Sequence, residues 1–199
     1  MTLLVSIGHR DRGFFRAILA GVILTFSCVP AAHGQAQPAR PTEYEVKAAY
    51  LSNFGRFVKW PQASDAQGSG EPAEPFTICI LGADPFGPAL DRALAGETIN
   101  RSPMVSKRIS KVQDSAGCRI LFIAASESKQ LKSVITDLGN ANILTVSDDP
   151  QFTRRGGMIQ FVFEDNRVRF EVNLAAAQRA KLALSSELIK LATAVRRAP

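Results

Sequence analysis

Three short, almost wholly apolar runs constrain this chain most: Phe76–Leu81 (FTICIL), Arg119–Ala124 (RILFIA) and Ile143–Ser147 (ILTVS). A strand with one wet face alternates apolar and polar residues, whereas an unbroken apolar run of strand length is covered on both faces. Helix signals lie between the runs. Gly82-Ala83-Asp84-Pro85 turns the chain, and a helix is expected from about Pro85 to Leu94, stopped at Gly96. Met104–Ile109 fits a further strand. Ser126 reads as the N-cap of a helix through Leu138, ended at Gly139-Asn140. Buried strands alternating with helices predict an α/β fold: three layers, with a mixed, mostly parallel sheet and helices on both faces.

The two ends depart from this alternation. Near the C-terminus, Met158–Phe163 (MIQFVF) and Val168–Asn173 (VRFEVN) flank Glu164-Asp165-Asn166-Arg167 and read as a β-hairpin. Phe161 and Phe163 share one side, and Arg169 and Glu171 alternate with Val168, Phe170 and Val172. Two helices are expected after it, Leu174–Ala180 and Ser186–Val195, the second capped by Ser185. Upstream of the first apolar run, Val46, Tyr50, Phe54, Phe57 and Val58 recur at helical spacing, predicting a helix over Glu43–Lys59 that stops at Trp60-Pro61. Gln62–Pro75 is polar and Gly/Pro-rich, a loop.

The first 34 residues belong to a different kind of segment. Arg10, Arg12 and Arg16 precede an uncharged, mostly apolar run of 13 residues, Ala17–Val29, and then Pro30 and the small residues up to Gly34. Basic, apolar and small-residue zones in that order mark a secretory signal peptide. The run falls short of the roughly 20 residues a membrane span needs. The expected organisation is a signal peptide over 1–34, cleaved near Gly34, a flexible lead-in over 35–42 and one domain over 43–199. Two alternatives stay open: an uncleaved helix, or a lipoprotein acylated at Cys28, although Thr25-Phe26-Ser27 fits a lipobox poorly.

Cleavage changes the available chemistry. Both histidines, His9 and His33, precede the cut, so the mature domain would hold none. Ser-His-Asp and Cys-His catalysis, histidine general bases and histidine-ligated metals are then excluded. Cys28 also leaves, and Cys79 and Cys118 remain. In an exported domain two cysteines are most simply one disulfide, the alternative being two buried thiols. The leader takes three Arg and one Asp from totals of 24 basic and 18 acidic residues, leaving 21 against 17. So small an excess, with no basic stripe interleaved with aromatics, gives no case for nucleic-acid binding.

Five places merit attention as sites. Gly82–Gly87 sits where a phosphate loop would, but it lacks Lys-Ser/Thr and Pro85 removes a backbone donor, so a turn is the expectation. Asp148 and Asp149 follow a strand, where ligands of open α/β sheets gather, and either bind a cation or cap the next turn; the cap is preferred. Arg154-Arg155-Gly156-Gly157 suits an anionic ligand or acidic partner, or is a solvated loop. Arg169 and Glu171 form either an outer face, the preferred reading, or a pocket wall. Tyr50, Phe54, Phe57 and Trp60 serve as core or as a docking stripe. The possible contact residues are therefore Tyr50, Phe54, Phe57, Trp60, Asp148, Arg155, Arg169 and Glu171. No catalytic group, metal site or cofactor is expected. A periplasmic small-molecule sensor, with its ligand near Asp148, Arg155, Arg169 or Glu171, is the second functional class.

Several stretches together resemble the YfiR family: Val46–Leu51 with Asn53-Phe54 and Phe57–Pro61, Phe76–Gly82 with Asp84–Gly87, Cys118–Ile123, and Leu144–Asp148 through Phe152, Arg155–Ile159 and Asn166–Asn173. The resemblance implies a role and no reaction. Such proteins are periplasmic and repress an inner-membrane diguanylate cyclase by contact with its periplasmic sensory part, lowering cyclic-di-GMP and biofilm formation. An outer-membrane lipoprotein sequesters them. They form homodimers and depend on disulfides. Cys79 and Cys118 fit one family bridge; the second bridge of some members is absent here.

Overall fold

The computed structural model describes residues 40–61 and 74–197. The expected leader, residues 35–39 of the lead-in and most of the Gln62–Pro75 loop lie outside the described residues. The last lead-in residue, Thr42, is the N-cap of the first helix. Its hydroxyl accepts from the Glu45 N–H while the Glu45 carboxylate accepts from the Thr42 N–H, a reciprocal capping box.

The elements in order are α1 (Glu43–Phe54), β1 (Val58–Lys59), β2 (Phe76–Leu81), α2 (Pro88–Leu94), β3 (Thr98–Ile99), β4 (Ser102–Ile109), β5 (Cys118–Ile123), α3 (Leu131–Leu138), β6 (Leu144–Ser147), β7 (Ile159–Glu164), β8 (Arg167–Asn173), α4 (Leu174–Arg179), β9 (Ala183–Leu184), α5 (Ser186–Leu191) and β10 (Ala194–Arg196). Short 3₁₀ segments, Val112–Ser115 and Ala125–Gln130, precede β5 and α3. Eight strands form one sheet in the order β10-β8-β7-β6-β5-β2-β4-β3. Neighbours are parallel except β7–β8 and β3–β4. β1 and β9 pair separately. The fold is the expected α/β sandwich. One core gathers α1, α2, α4 and α5 on one face, with Leu51, Phe54, Ile78, Phe122 and Phe170 at its centre. A smaller core on the other face gathers Leu81, Leu121, Ile123, Leu131 and Phe152 under α3.

Four local expectations are corrected. The helix over Glu43–Lys59 ends at Phe54, because Val58–Lys59 finds a strand partner in Ala183–Leu184, a pairing distant in sequence. At Gly55 a Cβ would collide with Ile99 Cδ1, so the chain packs here too closely for a side chain. The buried stripe of α1 is Lys47, Ala48, Leu51 and Phe54, one residue out of step with the expected Val46, Tyr50 and Phe57, which are half-buried. Ser126 does not cap α3; that helix begins later, at Leu131, after the 3₁₀ segment. The last expected helix, Ser186–Val195, stops at Leu191, and the chain finishes as β10, parallel to β8. The Ser185 cap is as expected, its hydroxyl accepting from the Leu188 N–H at 3.1 Å.

Cys79 and Cys118 form a disulfide between adjacent central strands. The register between β2 and β5 slips at Thr77/Ile78, so that Thr77 faces Cys118 and Ile78 faces Ile120. One extra residue moves every side chain beyond it to the other face. Without Arg119 as the extra residue, Cys118 would share the α1-side face of Ile120. With it, Cys118 joins Cys79 on the α3 side.

Candidate functional site

Strand alternation continues past the end of β6 and separates the two aspartates. Leu144 and Val146 lie in the α1-side core. Thr145 and Ser147 point to the other face, where they accept from the Met158 N–H and donate to the Ile123 carbonyl. Asp148 therefore faces α1 and Asp149 faces α3. Asp148 Oδ2 accepts from the Tyr44 hydroxyl at 2.9 Å and from Lys47 Nζ at 2.8 Å. Lys47 also pairs with Glu43 at 2.5 Å, one turn back. Its ammonium lies 4.4 Å from the centroid of the Tyr44 ring, and only 3 % of the residue is exposed. Burial pulls the Lys47 pKa down, but the hydrogen bonds to Asp148 and Glu43 outweigh it and hold the group above its ordinary 10.5. Burial, then the charge of Asp148 and the hydrogen bond to it, raise Tyr44 above 10.0. The Tyr44 ring meets Phe86 edge-on at 5.5 Å.

Asp149 does what the pair was expected to do, capping the following turn. Its Oδ1 accepts from the Gln151 N–H at 3.0 Å, and its Oδ2 accepts from the Ser128 hydroxyl. Arg155 donates to the Ser128 carbonyl at 2.7 Å and reaches Asp149 at 3.5 Å. Phe152 is fully buried in the α3-side core, with Gly157 against its ring. Thr153 links this segment to the sheet. Its N–H donates to Gln160 Oε1 at 3.2 Å, and its hydroxyl lies within 3.3 Å of Gln160 and 3.2 Å of Glu171. Asn173 donates to the Thr153 carbonyl at 2.9 Å, and Arg196 Nε donates to the Thr153 hydroxyl at 3.4 Å.

On this α3-side face, β7, β8 and β10 contribute no residue to the core beneath α3. Val162 stands opposite Arg169, Gln160 opposite Glu171, and Ala194 and Arg196 flank Glu171 and Asn173. Val162, Arg169, Glu171 and Arg196 are half-buried, Ala194 and Arg154 exposed. No carboxylate lies within 4.0 Å of Arg169 among the described residues. The aromatic residues sit elsewhere. Phe54 is core, Tyr50 packs on Phe54, Phe161 and Phe170, and Trp60 is buried edge-on against Phe76. Phe57 is half-buried beside the same core. Asp148 is thus on one face while Arg155, Arg169 and Glu171 are on the other, so the four do not line one cavity.

The crevice at the carboxyl ends of the strands, where open α/β sheets bind ligands, is filled by the protein itself. The Ala83 N–H donates to Ser126 Oγ at 3.0 Å, and a Cβ at Gly82 would run into Ser126 and Glu127. Asp84 accepts from the Phe86 N–H at 2.8 Å and is tied at 3.0 Å to Arg108, which also holds Asp91 at 2.7 Å. The Gly82–Gly87 stretch is a closed turn. An open depression of about 410 Å³ lies at the other end of the strands, beside Val112, Cys118, Leu138 and Ile143. No three His, Cys, Asp or Glu among the described residues are grouped to hold a metal ion.

Lys47, Tyr44 and Thr153 were missed by sequence reasoning. Lys47 had a readable signal: it lies four and seven residues before Leu51 and Phe54, a charge on the apolar stripe of a helix, and such a charge needs a buried partner. Thr153 had none, since its role depends on how β7, β8 and β10 are ordered.

The arrangement defines an open α/β domain with a filled ligand crevice and a polar face that no helix among the described residues covers. A model of the YfiR/HmsC-like family (DUF4154) matches residues 44–193, and the chain belongs to that family. At family level this carries a regulatory role in diguanylate cyclase signalling from the periplasm, as regulators rather than enzymes. Among curated proteins no sequence matches. A crystal structure of a conserved domain protein from Vibrio cholerae is similar in fold, with a TM-score of 0.53 at 10 % identity over 78 % of this chain; the chain spans 60 % of that structure's length. No helix of the described residues is long and apolar enough to cross a membrane.

Proposed function

We propose that the domain is exported, with its leader cleaved near Gly34, and represses an inner-membrane diguanylate cyclase by binding the cyclase's periplasmic sensory part through the α3-side face of β7, β8 and β10. The observation that carries this reading is the half-buried row Val162, Arg169, Glu171 and Arg196, which no helix among the described residues covers. A face whose central strand carries charges of both signs, Arg169 and Glu171, with the apolar Val162 and Ala194 on the flanking strands, suits a reversible protein partner. Arg169, which has no carboxylate partner among the described residues, brings a guanidinium to a carboxylate of such a partner. Repression follows when the regulator binds one conformation of the sensory part more tightly than another, since only differential affinity shifts an equilibrium. Sequestration by an outer-membrane lipoprotein and self-association as a homodimer belong to the same proposal.

The test is in cells that carry the cyclase. Loss of the gene raises cyclic-di-GMP; the wild-type gene restores the low level, and one carrying Arg169→Glu does not, although its product accumulates to the same amount. Unchanged cyclic-di-GMP on deletion would falsify the regulatory reading. Full restoration by Arg169→Glu would remove this face from it.

A further inference from the structure

Asp148 and Asp149 are neighbours in sequence, yet they serve opposite faces of the sheet. On one face Asp148 receives hydrogen bonds from Tyr44 and Lys47 and so seats the first turn of α1. On the other, Asp149, Ser128 and Arg155 fix the start of the segment 149–157, and Thr153 joins that segment to Gln160, Glu171 and Arg196. Phe152 anchors the middle of the segment in the α3-side core. The Phe152 N–H donates to the Asp149 carbonyl at 3.0 Å, so every step between α1 and β8 is a hydrogen bond or one peptide link.

We propose that residues 148–157 are a connector, through which the seating of α1 on Asp148 sets the shape of the β7–β8–β10 face and hence its affinity for a partner. The part concerning affinity rests on the reading of that face as the docking surface; the coupling itself does not. Two features make the segment suited to the task. It is over-determined at both ends, so a shift at Asp148 is not absorbed by a loose loop. Gly157 has no room for a side chain beside Phe152, so the segment and the core move together. A cycle of variants measures the coupling.

The experiment uses the oxidised mature domain and amide hydrogen exchange read by mass spectrometry. The variants are Asp148→Asn, Thr153→Val, the two combined, and Lys47→Met, which breaks the α1 contact from its other side. Asp148→Asn is expected to raise exchange about tenfold in peptides covering 150–157 and 168–173, with β2 and β5 unchanged. Lys47→Met reproduces the pattern. In the Thr153→Val background, Asp148→Asn adds little further exchange over 168–173. Faster exchange confined to α1, or additive effects of the two variants over 168–173, overturns the coupling. A second arm titrates the domain with the cyclase's periplasmic part, where Asp148→Asn weakens binding about fivefold or more. Equal binding by wild type and Asp148→Asn refutes the link to affinity. No binding by the wild type refutes the docking reading and leaves the exchange result to stand by itself.

Discussion

Reducing the Cys79–Cys118 bond should remove a large part of the domain's stability. The two cysteines are 39 residues apart, and the bond closes a loop that includes α2, β3 and β4. In the chain-entropy account a loop of about 40 residues restricts the unfolded chain by about 4 kcal/mol. A domain of this size has about 5–15 kcal/mol in total, so the bond accounts for roughly a quarter or more of it. Both cysteines are buried, at 0 % and 4 % exposure, so substitution would add packing effects to the loss of the bond. Reduction of the wild type avoids this. Urea unfolding of the oxidised and reduced domain, followed by tryptophan fluorescence from Trp60, measures the difference. With a slope of about 2 kcal/mol per molar, the midpoint falls by about 2 M. A difference below about 1 kcal/mol would refute the reasoning. It would mean that the paired strands β2 and β5 already restrict the unfolded chain, or that the reduced native state relaxes to compensate.

Gly157→Ala should destabilise the domain by about 1–3 kcal/mol, because its Cβ collides with the buried Phe152 ring; urea unfolding checks it, and an unchanged midpoint contradicts the packing described. Lys47 and Tyr44 are both raised above their ordinary values of 10.5 and 10.0, so the stability they contribute is complete below about pH 10 and is lost as pH rises through their folded-state values. Thermal melts between pH 8 and pH 11 should therefore show a steeper alkaline loss in the wild type than in Asp148→Asn, and equal slopes would contradict the assignment. Protein recovered from the periplasm should have the mass of a chain beginning near Gln35, and a lipid-modified mass at Cys28 would replace the soluble address with a membrane surface.

The buried strands were readable because their chemistry is local: β2 and β5 are mostly apolar on both faces, and β6 adds only the small polar residues Thr145 and Ser147, so a covered strand suits each run. The hairpin was equally readable from its alternation and its Asp165-Asn166 turn, where both residues take positive φ. The errors occur where a distant partner decides. Phe57-Val58 continues the helical spacing of α1, but pairing with β9 draws Val58-Lys59 into a strand. β10 is three residues long, Ala-Val-Arg, with no pattern of its own; it is a strand because β8 offers an edge. The slip at Arg119 belongs to two strands at once and leaves no mark in either. The same limit governs the site. Asp148 and Asp149 stood out as a pair, yet their division between two faces follows only from the position of β6 in the sheet, and that division gives Asp148 to α1 and Asp149 to the connector.

The most direct test of the account is calorimetric titration of the oxidised mature domain into the purified periplasmic part of the membrane cyclase, beside the same titration with Arg169→Glu. The account predicts saturable binding by the wild type and at least about tenfold weaker binding by the variant, a difference of about 1.4 kcal/mol. Saturable binding that Arg169→Glu leaves unchanged would contradict the assignment of the β7–β8–β10 face, and the absence of binding would contradict the claim that this domain regulates by contact.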